Sequence, residues 1–288
     1  MHIVPILVPY AGDVARWGAA KGPAAIMQAG LAETLRQHGH VVAEPLEIVF
    51  PRERRTRDPV TNLGAIASMV SDAVAATIGQ GAMPLVLEGN CTQAVGPAGG
   101  VARACGGAGI VWYDAHGDMH TLRTTSTGLL GGMPYAVCLG WEFADWRAAA
   151  GLAMPVRAEA AALLGASDLD AEEEAALDAN PLARLDAAEM GTDAGARTTS
   201  LLAPRAAAAP GWYMHIDLDV AGPDELPGAL TPAPHWPSRA ALVASVTAAA
   251  RAVPLRCLGI AEYDPSGDPQ RRGARLAADL AVAALSKV

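Results

Sequence analysis

Two short stretches of the chain carry acidic or imidazole groups at every second position. Asp114, His116 and Asp118 form one of them, and Asp217 and Asp219 form the other. In an extended segment alternate side chains point to the same side, so each stretch presents its donors together. Crowded carboxylates repel one another and resist desolvation unless cations neutralise them. Carboxylate and imidazole donors suit a hard to borderline divalent ion, Mn²⁺ before Zn²⁺, and the number of donors predicts two ions.

Polar residues after two further apolar runs could join this site. One segment reads Glu88-Gly89-Asn90-Cys91-Thr92, and the other reads Glu262-Tyr263-Asp264-Pro265. Open parallel sheets bind ligands beyond the carboxyl ends of their strands, so residues in these places are candidates for chemistry. Each pattern taken alone is also what a helix cap or a turn would use. Their occurrence together on one alternating chain favours a site.

The elements that must hold these residues alternate between short β-branched runs and longer segments of helical period. This alternation predicts an α/β fold with three layers, α/β/α, around a mainly parallel sheet of about eight strands. The predicted strands are 2–8, 41–48, 83–88, 109–114, 162–166, 184–188, 212–217 and 255–262, and the predicted helices are 23–38, 63–78, 238–253 and 271–285. The Ala-rich stretch 172–210 has weak periodicity, which predicts a surface helix with mobile loop. We expect a single catalytic domain over residues 1–288.

Composition narrows the partners and the compartment. The net charge of −9, with no block of Lys or Arg, argues against binding to nucleic acid or to an anionic membrane surface. The cysteines show no CxxC pairing, which indicates a reducing compartment, and we expect a cytoplasmic protein. The first nine residues lack a basic leader, and no run approaches the roughly 18 uninterrupted apolar residues of a membrane helix.

The two metal-type motifs resemble those of a known family. Asp114-Ala115-His116-Gly117-Asp118 and His215-Ile216-Asp217-Leu218-Asp219 are similar to the two metal-binding signatures of the arginases and agmatinases, the ureohydrolases. Further matches follow in family order, at Lys21-Gly22-Pro23, 164–170, Pro227-Gly228 with Thr231-Pro232, and Glu262 with Asp264-Pro265. The likeness therefore spans nearly the whole chain.

This resemblance implies a manganese centre of two ions. Five of the six family ligands have counterparts, namely Asp114, His116, Asp118, Asp217 and Asp219. The sixth is a histidine in a Gly-Gly-Asp-His-Ser motif, and Cys91 occupies its position here. A soft thiolate suits Mn²⁺ less well than imidazole does and must lose its proton, so we expect one ion to be held more weakly. The alternative is that Cys91 is an inert buried thiol and that the first ion is absent.

The substrate side departs further from the arginases. Arginases carry asparagine, serine and asparagine for the amino-acid end of the substrate, and a histidine that shuttles a proton. The corresponding positions here are His120, Thr127, Leu129 and Gly131. The acidic residues that the family turns toward the α-amino group have counterparts in Asp168, Asp170 and Glu173, and we add Thr231 to the predicted substrate contacts.

Loss of the shuttle histidine has a consequence for the substrate. Expelling ornithine requires that a proton reach a strongly basic amine. Without the histidine, hydrolysis of arginine should therefore be slow. An N-hydroxyguanidine is less basic and its carbon is a better electrophile, and Gly131 leaves room for the extra oxygen. With Cys91, this combination is similar to the family members that hydrolyse Nω-hydroxy-L-arginine to hydroxyurea and L-ornithine in D-cycloserine biosynthesis.

The resemblance also implies roles for two carboxylates. Water activated between the ions attacks the guanidine carbon, Glu262 pairs with the substrate nitrogens, and Asp118 passes the proton to the leaving nitrogen. Glu262 could instead be a buried acid in a structural ion pair. His215 points to the same side as Asp217 by alternation, which suggests support behind the ligands.

Several alternatives stay open at this point. An arginase, an agmatinase or a formimidoylglutamase-like amidine hydrolase would use the same chemistry on another substrate. A non-catalytic homologue could keep the fold after losing a metal. A hydrolase with Cys91 as nucleophile and His116 or His120 as base would leave the paired aspartates unexplained. The family resemblance implies homo-oligomers, although no motif here demonstrates them.

Overall fold

A computed structural model describes residues 1–286 and centres on one large parallel sheet. In chain order the strands are β1 (His2–Val8), β2 (Tyr10–Ala11), β3 (Val14–Ala15), β4 (Val41–Val42), β5 (Leu46–Glu47), β6 (Met83–Glu88), β7 (Gly109–Tyr113), β8 (Ala161–Leu164), β9 (Ala183–Leu185), β10 (Trp212–Asp217) and β11 (Leu255–Ala261). β2 and β3 form a small antiparallel hairpin. The other nine pair in parallel in the order β4-β1-β6-β11-β10-β7-β8-β9, with β5 also beside β1.

Along the chain, the helices lie between these strands and after the last one. They are α1 (Gly22–Gln28), α2 (Leu31–Gln37), α3 (Pro59–Gly79), α4 (Val95–Cys105), α5 (Pro134–Leu139), α6 (Ala144–Ala149), α7 (Ala171–Ala179), α8 (Ala194–Leu202), α9 (Arg239–Ala252) and α10 (Arg272–Leu285). The predicted three-layer α/β/α fold with a mainly parallel sheet is confirmed.

The central strands are buried on both faces, which explains their continuous apolar runs. Every residue of β7 is buried, and so are the last five residues of β6. A strand with one solvated face would alternate polar and apolar residues instead. The central strands lack that alternation because helices cover both faces of the sheet.

The longest helix, α3, shows how the layers pack. Asp58 caps its N-terminus by accepting hydrogen bonds from two backbone N–H groups, and Pro59 occupies its first position. Val70 and Val74 on its buried stripe meet α4 where that helix carries Gly96 and Gly100. A Cβ at these glycines would lie 2.7 and 2.6 Å from the valine Cβ atoms, so only glycine permits the close approach. Among residues 1–286, α3 alone has the length and hydropathy of a membrane span, and half of that stretch is buried in the molecule.

Several predicted element bounds need correction. The predicted strand 41–48 is two short strands, and the predicted helix 23–38 is two helices, because the chain turns at Gly30, where φ is +100°. Glycine adopts this left-handed conformation without steric cost. The stretch 172–210 is more ordered than predicted, since it contains α7, β9 and α8. Helices α4, α5 and α6 and the β2-β3 hairpin were not predicted, because short or glycine-containing segments carry little helical periodicity.

Sheet order decides where the polar motifs meet. The strands β6, β11, β10 and β7 are consecutive neighbours in the sheet, although β6 and β11 are far apart in the chain. All four run in parallel, so their carboxyl ends lie along one edge. The four polar segments identified in the sequence leave from that edge.

Candidate metal centre

The predicted metal-binding residues start from these four strand ends. Cys91 lies in the 3-10 turn that follows β6, and Asp114 directly follows β7. Asp217 ends β10, and Glu262 directly follows β11. Parallel strands place the residues that follow them on the same edge of a sheet, which is where ligands of this fold class bind.

Two of the carboxylates lie on strained backbone. The φ angle is +51° at Asp118 and +61° at Glu262. This left-handed region costs residues with a Cβ roughly 1 kcal/mol or more, and such residues cluster at functional sites. The carbonyl of Asp118 accepts hydrogen bonds from the backbone N–H groups of Tyr135 and Ala136, at 3.0 and 3.1 Å, which hold its loop on the start of α5. The surrounding structure thus fixes the strained position of this carboxylate.

The donor atoms form two overlapping sets. One ligand atom from each of Cys91, Asp114 and Asp118 lies within 4.8 Å of the others. The same holds for Asp114, His116 and Asp219. Asp114 belongs to both sets, so two cations bound here would be close neighbours with a shared carboxylate.

Asp217 lies between the two sets. Its Oδ2 is 2.9 Å from the sulfur of Cys91, and its Oδ1 accepts a hydrogen bond of 2.8 Å from the backbone N–H of Asp219. Cys91, Asp217 and Glu262 also offer three ligand atoms within 4.8 Å of one another. Cys91 is therefore buried against the core with its sulfur among the acidic donors.

Hydrogen bonds orient the shared carboxylate and the imidazole. The indole N–H of Trp112 donates to Oδ2 of Asp114 at 2.9 Å, and the backbone N–H of His116 donates to Oδ1 at 2.7 Å. Nδ1 of His116 is 3.3 Å from Asp114 Oδ1 and 3.2 Å from Asp219 Oδ2. Such partners hold ligand side chains in place before an ion binds.

Burial and mutual repulsion raise the pKa values of the carboxyl groups. For Asp118 the causes are desolvation and then the charge of Asp114, and for Asp217 they are desolvation and then Asp219. Desolvation and Asp217 raise the pKa of Glu262, and desolvation and Asp114 raise that of Asp219 to about 6. Without a cation, these groups therefore resist ionisation together.

The remaining two donors complete a set that fits divalent cations. Burial raises the pKa of the Cys91 thiol, and the charge of Asp217 adds to this effect. Burial lowers the pKa of His116, but hydrogen bonds with Asp114 and Asp219 outweigh it and raise the value to about 12. Oδ2 of Asp118 is buried and accepts no hydrogen bond from the described residues. A dipositive ion could bind to that oxygen. Its charge would lower the raised pKa values and so stabilise the ionised carboxylates and thiolate.

A cleft of about 510 Å³ opens over the donors. All the predicted substrate residues line it, namely His120, Thr127, Leu129, Gly131, Asp168, Asp170, Glu173 and Thr231. All the predicted metal ligands except the fully buried Asp114 also reach it. Sequence reasoning missed Asn90, Ser126 and Leu230 in this lining, although each adjoins or lies within a motif that it had singled out.

One wall of the cleft carries a further polar cluster. Nε2 of His120 is 3.1 Å from Oδ2 of Asp170, and these two residues and Glu173 offer ligand-type atoms within 4.8 Å. Glu173 is buried, and its Oε1 accepts a hydrogen bond of 3.2 Å from the backbone N–H of Met119. The cluster gives this wall of the cleft an acidic character, suited to an ammonium group.

The acidic cluster predicts how the stability of the metal-free protein depends on pH. A carboxyl group whose pKa is raised by folding contributes stability below its unfolded pKa, and that contribution is lost as the pH rises through the folded value. For Asp219 this window runs from 3.8 to about 6, worth on the order of 2 to 3 kcal/mol, and the pKa values of Asp118, Asp217 and Glu262, which are raised well above their usual range, extend the loss of stability to higher pH. We expect chelator-treated protein to melt at a lower temperature at pH 8 than at pH 5.5, measured by scanning calorimetry.

Added Mn²⁺ should reverse that trend, because a cation favours the ionised carboxylates and binds only the folded state. The gain in melting temperature on adding Mn²⁺ should be larger at pH 8 than at pH 5.5. Equal gains at both values would contradict the assignment of these carboxylates as ligands.

Comparison with known proteins agrees with this geometry. The model of the arginase family matches residues 2–286. The arginase of Bacillus subtilis (strain 168) is 32% identical over 227 residues, which cover 76% of this chain and 75% of the relative. A crystal structure of arginase from Bacillus subtilis superposes with a TM-score of 0.88 at 27% identity, covering 100% of this chain and 99% of that one. Formimidoylglutamase from Bacillus subtilis subsp. subtilis str. 168 shares the fold at 17% identity, with a TM-score of 0.77 and coverages of 99% and 86%. The chain belongs to the arginase family.

Proposed function

We propose that this arginase-family hydrolase is manganese-dependent and cleaves Nω-hydroxy-L-arginine to hydroxyurea and L-ornithine. The observation that carries the choice of substrate is Gly131, which stands where the arginases have a proton-shuttling histidine. Gly131 lines both the cleft over the donors and an adjoining cavity of about 600 Å³. Among residues 1–286, a Cβ built there would meet only the amide of Asn90, at 3.8 Å. There is thus open space at this wall of the cleft for one more oxygen atom.

Loss of the histidine bears on the leaving group. Hydrolysis forms a carbon–oxygen bond, breaks the bond from the guanidine carbon to the ornithine nitrogen, and must deliver a proton to that nitrogen. Asp118 would deliver this proton, because its carboxyl group reaches the cleft and one of its oxygens can carry a proton while the other binds a cation. The leaving amine is the same with both substrates, so a single carboxyl acting with solvent suits the less basic hydroxyguanidine better than arginine because its carbon is the better electrophile.

The chain's own residues would orient the substrate. Glu262 follows β11 on backbone with a φ of +61°, which directs its carboxylate into the cleft. There it would pair with the guanidine-type nitrogens and hold the carbon in position. At the other end, Asp170 and Glu173 would receive the α-ammonium group, and His120 and Thr127 would contact the carboxylate.

Mn²⁺ is the cofactor that we propose, with two ions. Cys91, Asp114, Asp118 and Asp217 would hold one, and the set of Asp114, His116, Asp217 and Asp219 would hold the other. Bound cations of this kind lower the pKa of a coordinated water toward neutrality. Because Cys91 replaces an imidazole, the first ion would be held more weakly than the second.

Ordinary arginase activity is the second candidate function. It is favoured by the 32% identity to the arginase of Bacillus subtilis over three quarters of both chains. If agmatine or formimidoylglutamate were the substrate instead, the residues Thr127 to Gly131 would have to select it. A non-catalytic role would not explain the strained backbone at Asp118 and Glu262, because such strain clusters at functional sites.

The same proposal covers the context of the enzyme. Residues 1–288 form one catalytic domain that acts in the cytoplasm on a small guanidine or hydroxyguanidine. Like other family members it would form homo-oligomers, and it would bind neither nucleic acid nor membranes, in keeping with its net charge of −9.

A substrate panel tests the choice of substrate. With Mn²⁺ present, the parent protein should hydrolyse Nω-hydroxy-L-arginine with a kcat/KM at least about tenfold above that for L-arginine, a difference of about 1.4 kcal/mol in transition-state stabilisation. Agmatine and formimidoylglutamate should be poorer still. The measurement is the release of hydroxyurea, urea or the corresponding amide.

The variant Gly131→His supplies the internal comparison. Restoring a proton donor at this position should raise activity on arginine relative to hydroxyarginine and narrow the ratio. Gly132→Ala, next to it on the same wall, is a matched control that should leave the ratio unchanged. Equal efficiency of the parent on both substrates, or a preference for agmatine, would overturn the substrate assignment and leave the arginase-family hydrolase.

A further inference from the structure

A buried polar chain lies directly behind Cys91. Nε2 of His215 is 3.3 Å from the sulfur of Cys91, and Nδ1 of the same ring is 3.1 Å from Oε2 of Glu88. The hydroxyl of Tyr213 donates to Oε1 of Glu88 at 2.6 Å and lies 3.0 Å from His215 Nδ1. Each of these four side chains is at most 2% exposed. Burying this many polar groups is costly unless they have partners, and here the partners are one another, except that Oε2 of Glu88 makes no hydrogen bond within residues 1–286.

The sulfur therefore has two buried polar partners. Asp217, one of the cation donors, lies 2.9 Å away, and His215 lies 3.3 Å away. The imidazole cannot turn, because Glu88 and Tyr213 hold its Nδ1 edge and the indole of Trp112 packs on its face with ring centroids 4.0 Å apart. A rigid imidazole at this distance fixes the direction in which the sulfur presents its lone pairs.

Two residues of this buried polar chain differ from the corresponding residues of the arginase motif. Cys91 stands at the histidine of Gly-Gly-Asp-His-Ser, and Glu88 stands at its first glycine. A glycine there could offer no carboxylate to His215. Gly259 on the neighbouring strand makes the space, since a Cβ at that position would lie 2.5 Å from Glu88 Oε1 and 2.4 Å from the Tyr213 hydroxyl. Glu88 and Cys91, the two residues that differ from the arginase motif, are thus linked through the imidazole of His215.

We propose that Glu88, Tyr213 and His215 are positioning residues that hold the sulfur of Cys91 as a ligand for the first cation. This proposal rests on the metal centre of the proposed function and adds residues that touch neither cation nor substrate. Ligation replaces the S–H bond by a sulfur–metal bond, and the proton passes to the buffer. Partners behind a metal ligand typically change metal affinity about 10- to 100-fold when they are removed. A sulfur ligand further predicts that this position favours borderline ions such as Co²⁺ over Mn²⁺.

Cobalt binding tests the proposal without reference to activity. The full chain, freed of metal by chelation, is titrated with Co²⁺ while near-ultraviolet absorbance reports sulfur-to-cobalt charge transfer and elemental analysis reports total cobalt. The parent should show the charge-transfer band, and Cys91→Ser should lose it. Cys105→Ser is the matched control, because Cys105 is half-buried and lies outside this network, and it should keep the band.

The positioning residues are then replaced one at a time. Glu88→Gln and Tyr213→Phe preserve shape and remove one charge or one hydroxyl, and His215→Asn removes the ring. Each should weaken Co²⁺ binding at the sulfur site about 10-fold or more, seen as a shift of the band's titration midpoint. Binding at the site that contains His116 should persist.

A second background separates positioning from a general structural role. In a Cys91→His protein there is no sulfur to position, so adding Glu88→Gln should change Co²⁺ affinity little. An equal loss of affinity in the parent background and in the Cys91→His background would mean that Glu88 supports only the fold, which would overturn the proposal.

Two outcomes for the parent protein distinguish failure of the positioning role from failure of the metal centre. If the parent binds two cobalt ions without a charge-transfer band, Cys91 is no ligand and the positioning role fails while the metal centre stands. If the parent binds no cobalt and no manganese, the metal centre fails, and the proposed function fails with it.

Discussion

Replacing Asp217 by alanine should abolish hydrolysis and remove bound manganese. Asp217 lies between the two sets of donors, with Oδ2 at 2.9 Å from the Cys91 sulfur, so its loss affects both cation positions. Even residues behind a metal ligand change affinity about 10- to 100-fold, so removal of a shared ligand should lower kcat/KM by at least ~1,000-fold, about 4 kcal/mol. Metal content by elemental analysis and hydroxyurea release from hydroxyarginine measure the two effects.

A buried aspartate outside the centre provides the control. Asp268 is 2% exposed and accepts hydrogen bonds from Tyr263 and the backbone N–H of Gly273, at 3.1 and 2.8 Å. Asp268→Asn should lower the melting temperature but keep the manganese content. If Asp217→Ala retained two ions and hydrolysis, or if exhaustive chelation of the parent left full activity, metal-assisted hydrolysis would be wrong.

Replacing Glu262 by glutamine should reduce kcat/KM while leaving the cations in place. The amide keeps the size of the side chain and can adopt the same backbone, but it lacks the charge that pairs with a guanidine-type group. A hydrogen bond to a charged group contributes about 2 to 3 kcal/mol, which corresponds to a loss of roughly 30- to 160-fold. Steady-state kinetics with hydroxyarginine give the ratio, and elemental analysis gives the cation content.

Glu174→Gln is the matched control for this variant. Glu174 lies on α7 and pairs with Arg184 at the protein surface, with N–O distances of 2.6 and 2.9 Å. Its replacement should leave kcat/KM unchanged. An unaltered kcat/KM in Glu262→Gln would assign Glu262 to a structural ion pair, whereas loss of manganese in that variant would make it a ligand.

Local spacing made the acidic donors predictable. Asp114, His116 and Asp118 occur at alternate positions after an apolar run, and Asp217 and Asp219 repeat this pattern. Alternation in extended backbone depends only on neighbouring residues, so the sequence alone indicates which side chains point together. The apolar run that marks a buried strand is likewise a local feature of the sequence. The predicted bounds of β1, β6 and β10 therefore agree with those in the structure.

The polar chain behind Cys91 was not predictable in this way. His215 is 124 residues from Cys91 in sequence, and Tyr213 is 125 residues from Glu88. Alternation indicated only that His215 points to the side of Asp217. Nothing in the sequence pattern says that β6 and β10 lie on either side of β11, the arrangement that brings Glu88 to His215.

The sequence by itself therefore determined the α/β alternation, the acidic motifs and the departure at Cys91, because each depends on residue type and short spacing. Tertiary structure alone decided that four strand ends meet at one edge, that Cys91 faces Asp217, and that Gly259 leaves space for Glu88. The physical reason is that strand order and close packing arise from contacts between residues distant in the chain, which are not encoded in any local periodicity.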